Sequence, residues 1–150
     1  MSTPTNLHAQ INSVRRVPKR EVYRRLAGYF KRTELTRRSA NERLWAHSRA
    51  GDDDGVIETL ADVQILRLLY SDLGESEVLS HWARLRSDGV DVADIYRQSL
   101  AEYRRHADTA DRIEACAALG SVLESLNVWA AAGENYDQML EEARAGGNES

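Results

Sequence analysis

Histidine and carboxylate side chains one helical turn apart can share a metal ion or pass a proton. The sequence holds two such pairs, Glu77/His81 and Glu102/His106, and a third grouping in which His47 precedes Asp52, Asp53 and Asp54. A metal in a helical bundle wants Glu and His turned inward from facing helices, more typically three residues apart. Arg84, Arg104 and Arg105 crowd the same stretches, and a nearby cation opposes a bound metal. The pairs therefore read as i,i+4 helix-surface pairs, and the acids after His47 as loop residues that cap the next helix. The single cysteine, Cys116, excludes an intramolecular disulfide and a cysteine-based zinc cluster, and between Ala115 and Ala117 it reads as a small buried thiol. Glycine-rich phosphate loop, nucleophile elbow and metal-ligand spacing are all missing from the sequence. The expectation is a non-enzyme with no catalytic residue, no metal and no cofactor. A metal-dependent helical enzyme is the third reading, kept only by the Glu/His pairs.

The other chemistry is carried by cations. Arg15, Arg16, Lys19, Arg20, Arg24, Arg25, Lys31, Arg32, Arg37 and Arg38 crowd the first part of the chain, interleaved with Tyr23, Tyr29 and Phe30. Residues 1–50 hold twelve Lys/Arg against three Glu, whereas residues 51–150 hold eight against twenty-one acids, so a net charge of −4 conceals a basic and an acidic portion. Phosphate binding needs several cations on one side, and each neutralised phosphate adds salt-dependent affinity. The same arginines could instead dock on the acidic remainder of the chain or on a second subunit, or meet an anionic membrane surface.

These groups need elements to hold them. At 150 residues, 42% hydrophobic and 29% charged, the chain has the size and balance of one globular domain. The only prolines are Pro4 and Pro18, and apolar residues recur at helical rather than alternating spacing, so the fold class is all-α. Residues 1–17 read as a flexible arm and 18–50 as a basic helical segment, with the main helical domain over 51–146. In the basic segment Val22, Tyr23, Leu26 and Phe30 share one face of a helix starting at Lys19. Ser39 and Glu42 fit a capping box opening a second helix that carries Leu44 and Trp45. Beyond the Gly51–Gly55 loop the periodicity predicts one wide-striped helix over about 55–73, ended by Gly74, then helices near 76–87, 91–106, 110–126 and 128–145, the last stopped by Gly146-Gly147. No apolar run reaches the length of a membrane span and residues 1–13 lack a secretory signal, so a cytoplasmic protein is expected.

Residues 96–104, YRQSLAEYR, and 136–144, YDQMLEEAR, match at Tyr, Gln, Leu, Glu and Arg at a spacing of 40, the mark of stacked two-helix repeats. Leu119, Gly120 and Leu123, followed after a turn by Trp129, Ala132, Tyr136 and Met139, resemble a tetratricopeptide (TPR) repeat. Leu79, Ser80, Ala83, Val92, Tyr96 and Ser99 form a weaker copy. The resemblance covers roughly residues 76–145, with Asn127 in place of the usual turn glycine and no terminal proline. It implies a right-handed array of helical hairpins and a non-catalytic adaptor or assembly subunit that binds a protein partner or its own copies. Trp45 and the leucines of 60–73 would then cap the first repeat, and Glu114, Ala118 and Ser121 would line a groove. The alternative is a nucleic-acid-associated protein that contacts phosphates through the basic N-terminal helix.

Overall fold

The computed structural model describes residues 18–70 and 75–148, and among these every regular element is a helix. The expected arm over 1–17, with Arg15 and Arg16, and the expected stop at Gly74 lie outside the described residues. In chain order the helices are α1 (Lys19–Arg32), α2 (Arg37–Arg49), α3 (Asp53–Ala61), α4 (Val63–Leu69), α5 (Glu75–Ser87), α6 (Val92–Arg104), α7 (Thr109–Ser125) and α8 (Trp129–Asn148). The chain is an all-α helical array.

Aspartate sets most of the helix starts. Asp52, Asp62, Asp91 and Asp108 each accept a hydrogen bond from a backbone N–H in the first turn of α3, α4, α6 and α7, satisfying donors that the helix itself leaves unpaired. Asp62 explains why the helix expected over 55–73 is two. Its backbone turns extended at ψ 115°, ending α3, while Oδ1 accepts from Gln64 N at 3.0 Å and Ile65 N at 3.1 Å, starting α4. The capping box of α2 also differs from the expected one. Thr36 and Ser39 cap each other reciprocally (Ser39 N to Thr36 Oγ1 3.0 Å, Thr36 N to Ser39 Oγ 2.9 Å), so the helix opens three residues earlier. Gly146-Gly147 does not stop α8, which continues to Asn148.

A single core runs through α2–α8, built on Leu44, Leu60, Leu66, Trp82, Leu119 and Leu123 among others. The two hairpins of the C-terminal half fill it differently. Between α5 and α6 stand two large rings: the Trp82 indole N–H donates to the Tyr96 hydroxyl at 2.6 Å, with the rings 5.2 Å apart and edge-on, both fully buried. That hydrogen bond satisfies two polar atoms that would otherwise be orphaned in the core. Between α7 and α8 the separator is small. Gly120 lies under the Tyr136 ring and Ala132 is buried, and these two helices form the most extensive pairing among the described residues. Asn127 sits at φ 62° in the turn between them, the left-handed backbone that the usual glycine would supply and that asparagine tolerates best among other residues.

α1 forms a further layer, packed chiefly on α2. Its inward face is Tyr23, Ala27 and Phe30, with Ala27 fully buried and Tyr23 edge-on to Trp45 at 5.3 Å. Trp45 thus receives α1 and remains 39% exposed, instead of capping the first repeat as expected; α3 and α4 supply that packing. Val22 and Leu26, expected on the inward stripe, turn outward.

Candidate functional site

The outward surface of the α1–α2 hairpin holds most of the candidate cations. α1 has six Lys/Arg against Glu21 alone. Arg25 pairs with Glu21 at 3.4 Å, both exposed, and Lys31 donates to Glu58 on α3 at 2.7 Å. Lys19, Arg20, Arg24, Arg32, Arg37 and Arg38 are exposed and form no ion pair among the described residues. The two candidates that engage the chain itself are therefore separated from six that point to solvent. The Lys31 hydrogen bond holds the Glu58 carboxyl below the usual carboxylate range against the opposing effect of burial, and Arg43 adds to the pull at 3.4 Å.

Beside these cations runs an apolar strip. Val22, Leu26 and Tyr29 follow one another at i, i+4, i+7 on the solvent side of α1, exposed by 42%, 37% and 56%. A second strip lies on α8, where Trp129 and Leu140 are 62% and 50% exposed and Gly133 lies between them on the same face. Trp129 thus departs from the expectation that it packs inside the repeat. Ala132, Tyr136 and Met139 do pack against the core, with Leu119, Gly120 and Leu123 opposite. Asp137 and Glu141 stand next to the α8 strip, exposed and without an ion pair among the described residues.

The groove expected along the first helices of the repeats is partly filled. Arg67 of α4 reaches Glu114 and Asp111 on α7 and donates to the Tyr103 hydroxyl at 2.9 Å, and the Tyr70 hydroxyl lies 3.3 Å from Ser121 Oγ. Glu114 and Ser121 thus hold α4 in place. An open furrow remains between α3–α4 and α6, edged by Glu58, Asp62, Gln64, Ser99, Glu102 and Tyr103, and its charge is acidic.

Each described histidine has a carboxylate nearby in the sequence and in space. His81 Nε2 is 3.9 Å from Glu77 and His106 Nε2 is 3.7 Å from Glu102, each within its own helix, and no group of three His, Cys, Asp or Glu converges among the described residues. His47 Nδ1 lies 3.2 Å from Asp52 Oδ2. Burial, helped by the Arg43 guanidinium, lowers its pKa against the raising effect of Asp52. Burial likewise lowers the His81 pKa and pushes the Cys116 thiol up. Charge that sequence reading overlooked lies inside: Glu142 of α8 is 8% exposed and pairs with Arg104 of α6 and with Arg112 of α7 at 3.8 Å, a clasp across three helices. The i, i+3 step from Met139 to Glu142 on one face of α8 was the available signal.

The chain is 25% identical over 111 residues to nephrocystin-3 of Xenopus tropicalis, a stretch that is 71% of this chain and 8% of that protein. No family model matches the chain, and no solved structure matches it.

Proposed function

We propose that this chain is a non-catalytic interaction and assembly module built on TPR-like hairpins, with its docking chemistry on α1 and α2. The observation that carries this reading is the Val22/Leu26/Tyr29 strip, three large apolar side chains kept in water beside Arg32, which forms no ion pair among the described residues, and Arg25, which meets only the exposed Glu21. The TPR-like part of the reading draws on the echo at a spacing of 40, the Gly120–Tyr136 close approach and the left-handed turn at Asn127. The likeness to nephrocystin-3 lends it weak support, since 25% identity covers only 8% of that protein. An apolar strip with a charged margin is the anatomy of a helix face that a partner covers. The test is affinity capture from nuclease-treated extract, comparing the wild type with Leu26→Asp/Tyr29→Asp. A discrete partner, or additional copies of the chain, retained in stoichiometric amount by the wild type and lost by the variant is expected. Equal capture by both would sink the reading.

A second reading is carried by the six unpaired cations: contact with nucleic-acid phosphates without reading of bases. Arg20→Glu/Arg24→Glu would then lower the affinity for a labelled duplex at least tenfold, and raising salt from about 50 to about 200 mM would weaken wild-type binding steeply. Binding indifferent to both changes removes this reading.

A further inference from the structure

Among the described residues two apolar strips lie open, and the net charges of their margins are opposite. On α1, Val22, Leu26 and Tyr29 are bordered by Arg25 and Arg32, with Glu21 paired to Arg25, so the margin is basic on balance. On α8, Trp129 and Leu140 are bordered by Asp137 and Glu141, with the exposed Arg144 one turn beyond Leu140, so the margin is acidic on balance. We propose that these two faces are made for each other in trans: α1 of one copy packs on α8 of the next, and the chain assembles head to tail. This rests on the interaction-module reading and names its occupant.

Shape and charge select this pairing over the other two that identical copies could make. α1 against α1 brings two rows of arginine together around the apolar strip. α8 against α8 brings Asp137 and Glu141 of two copies together, with one cation, Arg144, on each face. α1 against α8 sets a margin that is basic on balance opposite one that is acidic on balance, whereas like-charge juxtaposition at an interface opposes association. The surfaces also alternate in size. A Cβ built at Gly133 meets nothing within 4 Å, so the α8 face has an open notch between Trp129 and Leu140. The α1 strip offers large side chains, Leu26 and Tyr29, to fill it. Within each copy the α7–α8 pair already follows this rule, with Gly120 under Tyr136. Packing α1 of the next copy on α8 extends the array by a further helix layer. Because the two faces differ, the contact is heterologous, and copies continue into a ring or a filament rather than stopping at two.

The experiment uses the purified chain in analytical ultracentrifugation across a concentration series. The wild type is expected to grow in mass beyond a dimer as concentration rises, and to shrink back at high salt. Leu26→Asp blocks one face and Leu140→Asp the other; both positions are exposed, and circular dichroism shows whether each variant keeps its helices. Each alone should remain monomeric, and an equimolar mixture should form a 1:1 dimer and nothing larger, since each variant retains one intact face. A second pair, Arg25→Glu/Arg32→Glu and Asp137→Arg/Glu141→Arg, keeps the apolar strips and should associate only when mixed. A monomeric wild type overturns the proposal, as does a single-face variant that still dimerises alone, or folded variants that stay monomeric on mixing. Those results leave the interaction-module reading to its own capture experiment, in which a different partner can still be lost with Leu26→Asp/Tyr29→Asp.

Discussion

The same substitution at two helical glycines should move stability in opposite directions. Gly120 lies within α7 and Gly133 within α8, so alanine at either recovers about 1 kcal/mol of helix propensity. At Gly133 a new Cβ meets nothing within 4 Å, and the gain stands undiminished. At Gly120 it meets the Tyr136 ring, at 2.8 Å from Cε1, 3.0 Å from Cζ and 3.2 Å from Cδ1. The ring is not free to swing, because its hydroxyl donates to Glu124 at 2.7 Å and its body packs against the core. Overpacking of this kind costs about 1–3 kcal/mol, which cancels or outweighs the propensity gain, so Gly120→Ala ends neutral to about 2 kcal/mol less stable. The two variants should differ by about 1–3 kcal/mol. Equilibrium urea melts at low protein concentration read this directly: with a slope of about 2 kcal/mol per molar, a gap of about 2 kcal/mol separates the midpoints by about 1 M. In a Tyr136→Ala background the penalty disappears, and alanine at 120 becomes stabilising. If Gly120→Ala melts at or above Gly133→Ala in the wild-type background, the close approach of α7 and α8 does not depend on this glycine.

Three further outcomes follow from the interior. Glu142→Ala strands Arg104 and Arg112, whose Nε atoms already lack partners, and should cost about 3 kcal/mol in the same melts, whereas removing all three charges together costs less than the sum. Because burial lowers the His81 pKa, the unfolded chain takes up a proton more readily than the folded one. Stability is therefore complete above about pH 6.5 and falls as pH drops through the lowered folded value, and His81→Gln should make the stability–pH curve shallower there. Cys116 is fully buried with its thiol pKa raised, so a thiol reagent at neutral pH should label it at the rate of opening, with labelling accelerated by denaturant; immediate stoichiometric labelling of the native chain would contradict the packing of α7.

The α7–α8 hairpin was legible in the sequence because packing there depends on residue size at fixed spacing: Leu119, Gly120, Leu123, Ala132 and Tyr136 occupy the positions their types suggest. The break at Asp62 was hidden because apolar residues continue at helical spacing on both sides. A lone aspartate in such a run looks like a solvent-facing helix residue until its backbone is seen to extend and its carboxylate to cap. Thr36 was overlooked in favour of Glu42 because a Thr–Ser pair and a Ser–Glu pair both fit a capping pattern, and sequence does not say which hydroxyl reaches back. Trp129 was placed by its position after the turn, yet its indole is 62% exposed. The cations of α1 were found by composition alone. That Lys31 would turn to Glu58 while Arg32 would not depends on the rotation of α1 over α2, which Ala27 fixes.

The distribution of close packing has a kinetic consequence. The two most extensive pairings, α7 with α8 and α1 with α2, join helices adjacent along the chain across short turns, so each closes only a small loop. The middle depends on distant partners: Arg67 meets Glu114 across 47 residues, and Arg86 donates to the Leu126 carbonyl across 40. The two flanking hairpins can therefore form early and independently, as local contacts do, while the contacts of α4 and α5 with α7 seal last as the flanks are drawn together. Core substitutions in α5 should then speed unfolding far more than they slow refolding, with the reverse weighting in α7 and α8.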